Sequence, residues 1–159
     1  MRMKSLSKRA VLFLVTGGGA GYFPRLPGTI GTLVAIPLSL PLNRLAVSNF
    51  VAALFFLVGA VCVAIWLSTK GANLLKQKDP QLIVIDEIVG FLVANFIAPA
   101  RLTALLWSFV LFRLFDIVKV FPTNKLEKLP GGAGIVLDDV MAGVYTFMSL
   151  RLLLKIGWA

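Results

Sequence analysis

Phe112-Arg113-Leu114-Phe115-Asp116-Ile117-Val118-Lys119, followed after a polar connection by Ile135-Val136-Leu137-Asp138-Asp139-Val140, decides how this chain must be read. Both segments are apolar enough to lie inside a membrane, and both carry carboxylates. Ile85-Asp86-Glu87-Ile88-Val89-Gly90 has the same character. A carboxylate near the bilayer centre costs about 2.5 to 3.5 kcal/mol on the insertion scale. Five of them, Asp86, Glu87, Asp116, Asp138 and Asp139, therefore load a helical bundle heavily. Something must compensate.

The remainder of the 159-residue chain makes the membrane reading general: 58% of it is hydrophobic, too much for an ordinary soluble domain. The expectation is one integral-membrane domain over residues 1–159. It is all-α, a polytopic bundle of about four to five spanning or re-entrant helices behind an N-terminal interfacial segment, residues 1–24. The formal charge is +9, but the sixteen basic residues stand in short clusters between apolar runs. That pattern suits anionic headgroups and cytoplasmic loops, and no nucleic-acid partner is expected. Histidine is absent and Cys62 is the single cysteine. An intrachain disulfide, histidine- or cysteine-based phosphatase chemistry and histidine-ligated zinc are thereby excluded.

Arg2, Lys4, Lys8 and Arg9 precede the apolar run Ala10–Val15. The start resembles a secretory signal, but the run is short and Gly17-Gly18-Gly19-Ala20-Gly21-Tyr22-Phe23-Pro24 offers no convincing cleavage site. An uncleaved cytoplasmic interfacial segment is expected. Arg25-Leu26-Pro27-Gly28-Thr29-Ile30-Gly31-Thr32 leaves backbone N–H groups and two hydroxyls free just before a helix, a common way of holding phosphate. A Gly/Pro turn with a threonine cap is the alternative. The helix beyond it, about 30 to 42, contains Pro37 and Pro41 and reads as kinked or re-entrant. Leu45–Thr69 runs 25 residues without a charge, a full span with Cys62 and Trp66 as packing residues.

Lys70, Lys76 and Lys78, and later Lys125, Glu127 and Lys128, mark connections that the positive-inside rule puts in the cytoplasm. Asp86 and Glu87 fall in an element expected over Gln81–Ala98. Neighbouring helix positions stand about 100° apart, so both can face the bundle interior; a capping acid or an interhelical ion pair is the alternative. Arg113, Asp116 and Lys119 recur every third residue on one helix face. They form either a ladder of ion pairs or a stripe lining a cavity, where Arg113 and Lys119 hold a phosphate and Asp116 a metal. Gly131-Gly132-Ala133-Gly134 lacks the lysine and hydroxyl of a P-loop and reads as flexible backbone before paired aspartates. Arg151 and Lys155 are expected to snorkel to the opposite headgroups.

Crossings at about 30–42, 46–69, 81–98, 101–120 and 136–157, with the N-terminus inside, bring the site residues to the cytoplasmic face. These are Thr29, Thr32, Asp86, Glu87, Asp116, Asp138 and Asp139. Five close carboxylates repel one another unless a divalent cation sits among them. Hard oxygen ligands without histidine or cysteine favour magnesium, with manganese as the substitute, over zinc. Arg25, Arg113 and Lys119 add attraction for a phosphorylated headgroup. The implied chemistry is metal-assisted hydrolysis, in which the cation polarises a phosphoryl oxygen and acidifies a water while a second carboxylate takes its proton.

Pro27-Gly28-Thr29-Ile30-Gly31-Thr32-Leu33, Ile85–Gly90, Phe112–Lys119 and Gly131–Gly143 resemble, in this order, the motifs of phosphatidylglycerophosphatase A. The resemblance spans roughly Pro27 to Tyr145. It implies a magnesium-dependent enzyme of the bacterial inner membrane, its site facing the cytoplasm, that converts phosphatidylglycerophosphate to phosphatidylglycerol. It implies Asp86, Glu87, Asp116, Asp138 and Asp139 as the catalytic and metal set, with Thr29, Thr32, Arg113 and Lys119 on the phosphate. Pro130 and Val120 depart from the family pattern, where histidine and proline are commoner; the first removes a general acid. An ion or proton transporter is the alternative class, but it spreads its carboxylates through the bilayer depth. A CDP-alcohol phosphotransferase needs Asp-Gly and Asp-x-x-x-Asp spacing that this chain lacks.

Overall fold

The computed structural model describes residues 7–158. Arg2 and Lys4 of the expected basic N-terminus lie outside the described residues. All regular structure among the described residues is helical: α1 (Lys8–Val15), a 3-10 turn (Ala20–Tyr22), α2 (Pro27–Ser48), α3 (Phe50–Leu75), α4 (Ile85–Ala94), α5 (Leu102–Val118), α6 (Thr123–Leu126) and α7 (Gly132–Lys155). Local chemistry sets several of these ends. Ser7 caps α1 by accepting from the Ala10 N–H at 3.2 Å, and Asn49 caps α3 through the Ala52 N–H at 3.0 Å. Lys76 and Lys119 terminate α3 and α5 in the left-handed conformation, with φ of 55° and 49°.

Among the described residues three helices, α2, α3 and α7, are long and apolar enough to cross a membrane. Several of the expected element bounds shift. The first helix is not a short piece over 30–42 but a 22-residue rod that runs through Pro37 and Pro41. The expected element 81–98 contracts to the ten residues of α4, which rise about 15 Å, half a hydrocarbon core. Its start is delayed because Val84 leaves the helix to donate its N–H to the Val15 carbonyl at 2.8 Å, tying this loop to the end of α1. Its end comes at Asn95, after which Ile97 adopts φ 52°.

The innermost helix, α7, packs chiefly against α4, α5 and α3. Two glycines allow the close approach of α4 and α7. A side chain at Gly143 would overlap the Gly90 carbonyl, and one at Gly90 would stand 2.7 Å from the Asp139 carbonyl and 2.9 Å from the Phe112 ring. Phe91 and Phe112, both fully buried, meet edge-on at 6.0 Å beside this contact. Deeper in the bundle Asn95 joins three helices, donating to Ser39 Oγ at 2.7 Å and accepting from Ser108 Oγ at 3.1 Å.

Helix α3 turns Val51, Phe55, Phe56 and Val63 outward, as a lipid-facing helix must. Cys62 is on that outer face, not in the packing; in a 26-residue helix this apolar all round, composition does not reveal which side is covered. Arg151 is also redirected. It donates to the Ile97 carbonyl at 2.8 Å and lies over the Phe147 ring, so it closes the end of α4.

Candidate active site

The start of α2, the start of α4, the end of α5 and the second turn of α7 converge on one cavity of ≈ 320 Å³. Arg25 and Gly28, Asp86 and Glu87, Arg113, Asp116 and Lys119, and Asp138 and Asp139 all line it. Four separate stretches of sequence thus meet.

Within the cavity the five expected carboxylates divide by partner. Asp86, Glu87 and Asp139 each present an oxygen within 4.8 Å of the others. Asp86 and Glu87 occupy the first turn of α4, where free N–H groups favour negative charge, and Asp86 Oδ1 accepts the Glu87 N–H at 3.0 Å. Among the described residues no basic side chain forms an ion pair with this trio. Glu87 Oε2 is buried without a hydrogen-bond partner. The all-oxygen donor set, free of histidine and cysteine, is the kind that suits magnesium. The residues fit a hard divalent cation.

Asp116 and Asp138 instead face cations of the protein itself. Arg113 Nη1 lies 2.6 Å from Asp116 Oδ2, the i,i+3 pair expected of the stripe. The contact is not aligned as a hydrogen bond, and the buried Nη1 has no other partner. Lys119 does not continue the ladder. Its left-handed backbone swings it off the α5 face to Glu127 at 3.1 Å and Asp138 at 3.4 Å. Partial burial disfavours its charge, but the two carboxylates outweigh that and hold the ammonium above its ordinary pKa. Asp138 Oδ1 is buried with no partner.

The two threonines are placed differently from the expectation. Thr32 is fully buried and donates its hydroxyl to the Gly28 carbonyl at 2.9 Å, and neither it nor Thr29 lines the cavity. What this loop contributes is Gly28, whose missing side chain leaves room for Glu87 and Arg113. The α2 N-terminus, begun by Pro27 and capped by no side chain, also opens at the cavity. Three further residues escaped the sequence reading. Asp79 and Gln81 line the cavity, and Glu127 anchors Lys119. Asp79 and Gln81 lie in the connection between α3 and α4, outside any apolar run that would mark them; nothing in the sequence links Glu127 to Lys119, because α6 makes that turn.

A cluster of carboxylates that fits a hard cation, with Arg113 and Lys119 on the same cavity and long apolar helices around it, suits a membrane enzyme acting on a phosphorylated lipid. A family model of phosphatidylglycerophosphatase A matches residues 13–154. Similar proteins include phosphatidylglycerophosphatase A of Haemophilus influenzae, 38% identical over 83% of this chain and 81% of its own. That of Escherichia coli is 32% identical over 82% and 76%. A putative phosphatidylinositol-3-phosphatase of Bacteroides thetaiotaomicron is 36% identical over 85% and 87%. No solved structure matches. The chain belongs to the phosphatidylglycerophosphatase A family and is a lipid phosphatase.

Proposed function

We propose that the protein hydrolyses the terminal phosphomonoester of phosphatidylglycerophosphate, with magnesium held by Asp86, Glu87 and Asp139 and manganese as a substitute. The observation that carries this reading is the carboxylate trio without a cationic partner, in one cavity with Arg113 and the uncapped α2 N-terminus. When bound, the ion would offset most of the trio's negative charge and polarise a phosphoryl oxygen.

The other roles belong to the chain. Arg113 and the uncapped N–H groups of α2 receive phosphoryl oxygens, and Arg113 keeps Asp116 oriented. Lys119, fixed between Glu127 and Asp138, offsets the charge that builds on the phosphate. Asp138 takes the proton of the attacking water on its free Oδ1 and returns it to the glycerol oxygen as the phosphorus–oxygen bond breaks. Arg25, Lys76, Lys78, Lys125 and Lys128 stand in connections at the site end, which by the positive-inside rule faces the cytoplasm of a bacterial inner membrane. Collection of the carboxylates in one cavity argues against a transporter, which needs them along a path.

The Bacteroides relative supports a second substrate, a phosphoinositide with its monoester at the 3-position. Both lipids carry a phosphomonoester on a polyol joined to diacylglycerol through a phosphodiester. Phosphate release from each by purified protein, with magnesium or with chelator, tests the proposal. Release that persists in chelator, or no release at all, overturns it.

A further inference from the structure

A second cavity, ≈ 580 Å³, adjoins the first and shares Arg25, Pro27, Asp79 and Gln81 with it. Its remaining walls come from the Gly21–Pro24 segment, Gln77 and Leu82. The walls are fastened together. Gly21 donates to the Thr16 carbonyl at 2.9 Å, Val84 donates to the Val15 carbonyl at 2.8 Å, and Gly21 packs so tightly on the Leu82 carbonyl that no side chain fits. Tyr22 and Phe23 of this wall and the adjacent Leu26 are 60%, 54% and 58% exposed, an apolar and aromatic rim of the kind that sits at headgroup depth.

Chemistry differs between the two chambers. The first contains the carboxylate trio. The second has no basic residue except Arg25, which forms no ion pair among the described residues, together with the acceptor Asp79 and the amides Gln77 and Gln81. A lone guanidinium beside carboxylate and amide groups matches an anion attached to hydroxyl-bearing carbons. We infer that this cavity is the subsite for the polyol and phosphodiester of the substrate, and that Arg25 binds the diester phosphate, not the monoester being cleaved. The inference rests on the phosphatase reading above and adds a selectivity: lipids with a diester between acyl chains and monoester are preferred over diacylglycerol 3-phosphate, which has the monoester alone.

The test compares wild type, R25Q, R25K and Q77A in magnesium on three substrates: phosphatidylglycerophosphate, its soluble deacylated headgroup, and diacylglycerol 3-phosphate. Loss of a charge-assisted contact is expected to raise KM of R25Q about tenfold to a hundredfold on the two diester-containing substrates, with kcat within about threefold. The loss on diacylglycerol 3-phosphate should be at least tenfold smaller. R25K recovers part of the difference, and Q77A, altered only in the second chamber, shows a milder loss of the same pattern. Equal losses of R25Q on all three substrates would assign Arg25 to the monoester and overturn the inference. So would no loss on any, or a loss on the lipid that the soluble headgroup does not share, which would indicate attraction to the bilayer surface. Failure of the wild type on every substrate is a different result, because it sinks the phosphatase reading itself.

Discussion

Gly28→Ala probes the site without touching any functional group. A methyl carbon there would overlap Glu87 Oε1 and stand 3.2 Å from Arg113 Nη1, so the carboxylate has to retreat. The obstacle is the end of a flexible side chain, not backbone, and the fold should absorb it at a cost of about 1 kcal/mol. The site does not have that freedom. Glu87 is one of three oxygens gathered within 4.8 Å, and a displacement of about 1 Å at a reacting constellation costs roughly a hundredfold in rate. The expected result is a thermal midpoint in detergent within a few degrees of wild type, kcat/KM down by about two orders of magnitude, and a magnesium requirement shifted upward. Phosphate release measured across a magnesium titration, with an unfolding scan on the same preparation, reads all three. Wild-type turnover at low magnesium in Gly28→Ala would refute the assignment of Glu87 to the cation site, whereas joint loss of stability and activity would refute its separation from the fold.

Asp139→Asn and Asp116→Asn should each lower turnover by about a hundredfold or more while the protein remains inserted and folded, and full activity in either removes that residue from the site. Magnesium should raise the unfolding temperature of the wild type, by an amount equivalent to about 2.7 kcal/mol at a hundred times its dissociation constant; Asp86→Asn should blunt this rise, read by calorimetry without substrate. Gly143→Ala drives a methyl into the Gly90 carbonyl, so it should destabilise the bundle far more than Gly28→Ala, seen as aggregation or a lowered melting temperature in detergent. Asn95→Ala leaves the Ser108 hydroxyl without its acceptor and removes the bond that Ser39 accepts, and it should cost about 1 to 3 kcal/mol of stability with the magnesium response unchanged.

Much of this architecture was legible in one dimension because membrane insertion is a strict filter. An acid kept in an apolar run is costly, so Asp86, Glu87, Asp116, Asp138 and Asp139 announced themselves, and all five line one cavity. The length and purity of 45–69 likewise marked α3. Boundaries were harder. Pro37 and Pro41 suggested a short, kinked or re-entrant helix, yet α2 continues through both to Ser48, while the apolar 81–98 segment yields only ten helical residues. Hydropathy measures what a residue tolerates, not where the backbone turns.

Partner choice belonged to the third dimension. Arg113, Asp116 and Lys119 have the spacing of a ladder, but one left-handed residue at the end of α5 sends Lys119 to Glu127 and Asp138. Thr32 has the hydroxyl of a phosphate ligand and spends it on its own helix, while the glycine four residues earlier makes the room that Glu87 needs. Residue types and their solvation costs can be read along a chain because each is a property of one position. Which carboxylate meets a cation, and which is left with none, depends on distances between helices that only their packing sets.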